Sequence, residues 1–181
     1  MSLIKYLPHP GIVLVLAAIL MIACGLTGND YLLSWVVFHC WAVYFYSGCT
    51  VANGLKGWLN YMIGVLACLP IIFLMGTFSC LGPVYGPAAA CGIVAFMLIL
   101  LEKLPFANNI PATFCGASAF FALAQMKVGG KDVSAAFGGD FACQKEVIIR
   151  LAIGITAGII LGWLTVVLRT AYGKMVETKK A

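Results

Sequence analysis

The sequence has very little charge. Only 9% of its 181 residues are Asp, Glu, Lys or Arg, whereas 63% are hydrophobic. Because a soluble domain usually carries roughly 25% charged residues, this chain has too few to cover a water-soluble surface. The composition therefore excludes a soluble enzyme and a disordered chain. The eleven Lys and Arg residues lie mostly between apolar runs and at the ends of the chain. That placement argues against binding to nucleic acid and indicates a protein of the lipid bilayer.

The sequence also lacks the residue patterns of catalytic and metal sites. It has eight cysteines, but none are spaced as a Cys-x-x-Cys chelate. No catalytic triad, carboxylate pair or histidine cluster is present. We therefore expect no enzyme activity, no catalytic residues, no metal and no cofactor. A disulfide between Cys80 and Cys143, which both fall on the predicted external side, stays an alternative to two free thiols.

Six apolar runs have about the length that a membrane-spanning helix needs, which is roughly 20 residues. They are separated by short breaks that contain Gly, Asn or Pro. These runs predict an all-α, polytopic membrane protein with a single transmembrane domain over residues 1–181. The predicted spans are 11–28, 31–51, 57–79, 84–104, 109–127 and 147–169.

The distribution of cations predicts the orientation of these spans. With the N-terminus inside, seven Lys and Arg residues are cytoplasmic, namely Lys5, Lys56, Lys103, Arg169, Lys174, Lys179 and Lys180. Four are external, namely Lys127, Lys131, Lys145 and Arg150. Because cytoplasmic loops carry the excess of Lys and Arg, we expect both termini in the cytoplasm.

The second and fifth spans share a pattern of aromatic residues. Positions 38 and 114, 44 and 120, and 45 and 121 are aromatic at one constant separation of 76 residues. The third and sixth spans align with a shift of 90, which places Gly64 opposite Gly154. We predict a 3+3 inverted repeat with halves at about 8–80 and 84–170, because an odd number of spans reverses the direction of the second half. The alternative is chance similarity between apolar helices.

Candidate pore-lining residues lie on the two repeated spans. His39 is the only ionisable residue deep inside a predicted span, which makes it a functional candidate, although a packing role and metal binding are alternatives. Its repeat partner is Cys115. Phe38 and Phe114 would bracket this segment as an apolar constriction, and the repeat-matched Tyr44 and Phe120 could belong to the same constrictions. The alternative is that these aromatic residues only pack.

Two asparagines precede the fifth span. Asn108 and Asn109 could present amide groups to a solute at the mouth of a pathway. The plainer interpretation is helix capping, because Asn is a good N-cap and Pro111 suits a first helical turn.

Three glycines follow each other at intervals of four in the sixth span. Gly154, Gly158 and Gly162 therefore lie on one helix face, which allows another backbone to approach closely. The partner helix could belong to the same chain or to another subunit. We expect a homo-oligomer.

Part of the chain resembles a known family. The segment Asn109 to Gly116, followed by Phe120-Phe121-Ala122, resembles a signature of small bacterial inner-membrane proteins grouped as domain of unknown function 1097. The segment Trp41 to Phe45, then Gly48 and residues 54–57, is similar as well. The resemblance implies a location in the bacterial inner membrane and assigns no activity.

Two function classes are compatible with these patterns. The first is a channel or transporter-like protein for a small neutral or weakly ionised solute, because the predicted spans have aromatic constrictions and almost no buried charge. The second is a non-transporting membrane scaffold or accessory subunit, held by glycine-mediated helix packing.

Overall fold

The apolar runs form α-helices along most of the chain. The computed structural model describes residues 8–28, 31–128 and 131–178. Lys5, Lys179 and Lys180, which contribute to the predicted orientation, lie outside these residues. Six α-helices form within the described ranges: α1 (Pro8–Leu26), α2 (Ser34–Tyr46), α3 (Val51–Thr77), α4 (Gly82–Leu100), α5 (Ile110–Leu123) and α6 (Phe141–Thr178).

Short elements occupy the connections. Three 3-10 segments lie at Phe78–Leu81, Leu101–Lys103 and Ser134–Ala136. Two strands of two residues each, Lys127–Val128 and Lys131–Asp132, pair antiparallel between α5 and α6. The expectation of an essentially all-helical chain is therefore confirmed, with one minimal hairpin that the sequence did not predict.

Several of these helices are apolar enough to span a membrane. Three helical stretches satisfy both length and hydropathy, namely Pro8–Leu26, Val51–Lys103 and Phe141–Val176. The second stretch contains α3 and α4, which are separated at Gly82, whose φ of 83° lies in the left-handed region. The protein is therefore a membrane protein by the composition and length of its helices.

The second and fifth helices are shorter than predicted. α2 has 13 residues and α5 has 14, so each extends only about 20 Å at 1.5 Å per residue, against a hydrocarbon core about 30 Å thick. The apolar run of the second span continues past the end of α2, but Gly48 and Cys49 both adopt positive φ, at 106° and 59°. A left-handed conformation cannot continue a right-handed helix, and α2 therefore ends at Tyr46.

Helices pack mainly onto partners from the other half of the sequence. The two most extensive contacts are α2 on α6 and α5 on α3. α4 then covers α3, α1 covers α6, and α3 touches α6 at the centre. The main buried core lies between these helices and includes Val36, Tyr61, Phe120 and Leu151.

Glycines allow the closest helix approaches. A Cβ atom at Gly64 in α3 would overlap the Thr113 carbonyl in α5, and one at Gly158 in α6 would lie 2.5 Å from the Val37 carbonyl oxygen in α2. Gly154 and Gly162 also face α2, through Val36 and Tyr44. The glycine face of α6 is therefore occupied within the chain, and it no longer argues for contact between subunits.

Candidate functional site

A half-buried histidine on α2 meets a buried tyrosine on α3. The Nδ1 atom of His39 lies 3.5 Å from the Tyr61 hydroxyl, and the two rings are edge-on with centroids 5.8 Å apart. Tyr61 is completely buried. Cys40 is buried in the same core cluster as Tyr61, and Cys115 of α5 packs against that cluster. His39 and Cys115, the two residues that the repeat pairs, therefore both lie at the edge of the cluster that contains Tyr61.

Asn109 begins α5 and ties it to the end of α2. Its Oδ1 accepts a hydrogen bond from the backbone N–H of Ala112 at 3.4 Å and from the Tyr46 hydroxyl at 3.5 Å. Its Nδ2 donates to the Ser47 hydroxyl at 3.0 Å. The predicted helix cap is therefore present, and the same side chain also joins two helices.

Asn60 on α3 holds the connection between α4 and α5. It is completely buried, and its Nδ2 donates to the carbonyls of Lys56 and Phe106, both at 2.8 Å. Its Oδ1 accepts from the Asn109 N–H at 3.1 Å. Because every polar atom of the amide has a partner, this buried group stabilises the end of the helix bundle that contains Asn109.

A cavity of about 310 Å³ opens at this end of the bundle. Asn108 and Asn109, both predicted at a mouth, line it together. Asn53 and Lys56 from α3 contribute further polar groups. The full lining is Tyr46, Ser47, Asn53, Lys56, Asn108, Asn109 and Pro111.

Polar side chains continue from this cavity towards the middle of α2. Tyr46 bonds Asn109, Tyr61 meets His39, and Cys40, Tyr61 and Cys115 pack in one cluster. We call this succession the polar seam: Asn109, Tyr46, Cys115, Cys40, Tyr61 and His39. Its members come from α2, α3, the cap of α5 and α5 itself.

The four predicted aromatic positions divide into two environments. Phe38 and Phe114 are 41% and 46% exposed on the surface of the chain, and Phe38 stacks on Trp41 with parallel rings 5.9 Å apart. Tyr44 and Phe120 are almost completely buried. Each repeat-matched pair thus shares one environment, and Phe120 packs within the core.

Tyr44 combines packing with a place at a cavity. Its ring lies between Gly54 of α3 and Gly162 of α6, where added Cβ atoms would come within 2.7 Å of it. It also borders a cavity of about 490 Å³ between the end of α2 and α6.

A buried arginine was missed by sequence reasoning. Arg150 of α6 is 1% exposed, pairs with Glu146 at 2.7 Å, and lies over the Tyr31 ring at 4.7 Å. Its Nη1 has no hydrogen-bond partner. His39 is therefore not the only ionisable group in the interior, and Arg150 is not a loop cation. The spacing of four residues from Glu146 is the signal that could have found the pair.

In the connection before α6, two carboxylates are stabilised by local hydrogen bonds. Asp140 accepts the backbone N–H of Cys143 at 2.8 Å, and this bond lowers the pKa of Asp140 below its usual value. Asp132 likewise accepts from Ser134, which lowers its pKa. These hydrogen bonds order the connection.

Metal-binding groups are not assembled in the described part of the chain. No cluster of three or more His, Cys, Asp or Glu side chains is placed to hold an ion there. All eight cysteines are free thiols, including Cys80 and Cys143.

Comparison with known proteins gives one match. A family model described as "Protein of unknown function (DUF1097)" matches residues 11–170. No curated protein and no solved structure matches the chain.

Proposed function

Since this chain belongs to the DUF1097 family, as its sequence predicted, and that family carries no assigned activity, we propose a function from the chain's own geometry. We propose that it is an integral membrane channel or transporter-like protein for a small neutral or weakly ionised solute. Its pathway would follow the polar seam from the cavity at Asn109 towards His39.

The observation that carries this proposal is the pair of short helices at corresponding positions. α2 and α5 hold 13 and 14 residues, and every member of the polar seam except Tyr61 belongs to one of these two helices or to the cap of α5. In transporters built from repeats, unusually short helices at matching positions of the two halves mark the solute site. Helix ends and polar groups then meet near the middle of the membrane.

We also propose that the two halves form an inverted repeat. The helices of the first half have 19, 13 and 27 residues, and those of the second have 19, 14 and 38. α2 begins at Ser34 and α5 begins at Ile110, which keeps the separation of 76 residues. The exchange of partners, α2 on α6 and α5 on α3, supports a two-fold relation.

The helix contacts favour a register one turn away from the predicted one. Gly64 approaches the Thr113 carbonyl and the Ala117 N–H, whereas Gly158 approaches the Val37 carbonyl and the Trp41 N–H. These contacted positions again differ by 76. Gly158 is therefore a better counterpart of Gly64 than Gly154, which was paired with it on sequence alone.

The chemistry of the polar seam favours a solute with little charge. Its members carry hydroxyl, thiol, amide and imidazole groups, and no carboxylate or Lys belongs to it. The Arg150 cation is already paired with Glu146. Ion-coupled transport usually depends on intramembrane carboxylates, which favours passive movement of a neutral or weakly ionised molecule.

A homo-oligomer in the bacterial inner membrane completes the proposal. Tyr46 of the polar seam is 49% exposed, and Ser118, whose hydroxyl donates to the Cys115 carbonyl, is exposed as well. Polar groups facing lipid are costly. A second copy that covers this face would close the pathway. The excess of cytoplasmic Lys and Arg supports an orientation with both termini in the cytoplasm.

Solute flux into proteoliposomes tests the function. Swelling should be faster than in empty liposomes with at least one of urea, acetate, ammonia or glycerol. Phe38→Ala and Phe114→Ala should raise permeation or loosen selectivity, because each removes an exposed ring next in sequence to a seam residue, His39 or Cys115. Phe96→Ala is the matched control, since Phe96 is 65% exposed on α4, away from the seam.

The pH dependence gives a second readout of the same pathway. His39→Ala should change how permeation varies between about pH 5 and 8, the range in which the charge of histidine side chains usually changes. If no solute moves faster than through empty liposomes, the chain is a scaffold or accessory subunit instead. If solute moves but Phe38→Ala, Phe114→Ala and His39→Ala match the wild type, the pathway lies elsewhere.

A further inference from the structure

Two adjoining cavities lie where α6 leaves the bundle. One of about 400 Å³ is lined by His9, Phe45, Cys49, Val166, Arg169 and Thr170. The other, of about 490 Å³, shares Cys49, Val166 and Thr170 with it and extends to Lys174. We call the two cavities together the Arg169 groove. The groove lies at the same end of the bundle as Asn109 but takes no part in the polar seam.

The charged side chains among the described residues that line the Arg169 groove are cationic. Arg169 and Lys174 contribute cationic side chains, and His9 adds an imidazole. No carboxylate is among the described residues that line either cavity. Thr50 and Thr170 also line the groove, with their hydroxyls bonded to the Asn53 N–H and the Val166 carbonyl. The cationic side chains are suited to a phosphate group, which accepts hydrogen bonds and carries negative charge.

The walls of the groove become apolar on the side of the bundle. Arg169 stands at the end of the predicted sixth span, and Val166 and Trp163 precede it by one and two helical turns. Cations at the edge of a span lie at the level of lipid headgroups, with their apolar neighbours at the level of the acyl chains. The polar and apolar parts of the groove thus follow the order of a phospholipid rather than that of a free ion.

We propose that the Arg169 groove binds the headgroup of an anionic membrane phospholipid, with the first part of an acyl chain lying against Phe45 and Val166. Arg169 contacts the phosphate, and Thr170 lies beside it at the groove shared by α1, α2 and α6. A bound lipid in this position ties α1 and the end of α2 to α6.

Native mass spectrometry of the full chain in mild detergent tests the lipid site, with phosphatidylglycerol as the probe. The wild type should retain one lipid more strongly than it retains phosphatidylcholine with the same acyl chains. Arg169→Gln should weaken retention about fivefold, since one basic residue near an anionic headgroup contributes about that factor. Lys103→Gln is the matched control, because Lys103 is an exposed cation at the same predicted membrane side and lines neither cavity.

Further arms separate the sources of phosphate. Inorganic phosphate at the same concentration should not compete with the lipid, and Val166→Trp should reduce lipid retention by filling the apolar part of the groove. Equal losses for Arg169→Gln and Lys103→Gln would show non-specific charge attraction and overturn the proposal. Efficient competition by inorganic phosphate, or full retention by Val166→Trp, would overturn the assignment to a lipid.

Discussion

Replacing Gly158 with Ala probes the contact between α2 and α6. A Cβ atom at this position would lie 2.5 Å from the Val37 carbonyl oxygen, 2.6 Å from the Cys40 Cβ and 2.9 Å from the Trp41 backbone nitrogen. Two of these three neighbours are backbone atoms, which cannot move aside by changing a rotamer. Because ordinary contacts between carbon and oxygen lie at about 3.3–3.6 Å, the two helices must separate by roughly 1 Å.

The cost follows from overpacking a well-packed interface. Adding a methyl group to such a site typically costs roughly 1–3 kcal/mol, and the backbone neighbours place this substitution at the upper end. Alanine restores about 1 kcal/mol through its higher helix propensity. We therefore expect a net loss of about 2 kcal/mol in the free energy of unfolding.

Gly173→Ala is the internal control. Gly173 lies on the same helix, and a Cβ atom there would meet nothing within 4 Å. This substitution should be neutral or stabilising by up to about 1 kcal/mol. The assay is thermal unfolding of both variants and the wild type in one detergent.

The sign of the change in unfolding temperature tests the close approach of α2 and α6. Gly158→Ala should unfold at a lower temperature than the wild type, and Gly173→Ala should not. Equal unfolding temperatures for the two variants would show that α2 and α6 are not held together through Gly158. The close approach derived from the glycine face would then be wrong.

Three further predictions concern buried polar groups and one helix cap. Asn60→Ala should lower stability by roughly 1–3 kcal/mol, because it leaves buried partners unsatisfied; thermal unfolding checks this, with the exposed Asn53→Ala as control. Glu146→Gln should lower the free energy of unfolding by roughly 3 kcal/mol, since it leaves a buried cation without a counter-charge. Arg150→Met should lower it less, and equal losses in thermal unfolding would contradict this. The pKa of Asp140 is lowered in the folded state. The Asp140 carboxylate therefore stabilises the folded protein above the unfolded pKa, and this stabilisation is lost as the pH falls through the folded pKa. The wild type should therefore lose unfolding temperature below about pH 4 relative to Asp140→Ser, which caps the helix without titrating.

Helices and family membership could be predicted from the sequence because both depend on local patterns. A long apolar run with turn residues at its ends can form only helix in lipid, which is why six helices occur close to the six predicted positions. The end of α2 was missed because Cys49 breaks the helix inside an apolar run, and a positive φ at a residue other than glycine has no clear signature in sequence.

The candidate site depends on helix rotation, which the sequence did not determine. Nearly every face of α2 is apolar, so the pattern could not show that His39 faces Tyr61 while Tyr44 is buried against α6. The burial of Arg150 was missed for a similar reason, because it depends on Tyr31 from a distant part of the chain. Asn109 was found because an Asn before Ile-Pro marks a helix start wherever it occurs.

The exchange of helix partners between the halves has a consequence for biosynthesis. α2 packs on α6, and Val37 contacts Gly158. The ribosome must therefore synthesise almost the whole chain before α2 can pack. Contacts so distant in sequence slow folding. Until α6 is synthesised, α2 remains in the translocon or in lipid, and Val36, Cys40 and Tyr44 lack their packing partner. A truncated first half would leave α3 without α5 and α2 without α6, which makes it a substrate for quality-control proteolysis. Two halves synthesised as separate polypeptides would instead supply each other's packing partners, α6 for α2 and α3 for α5.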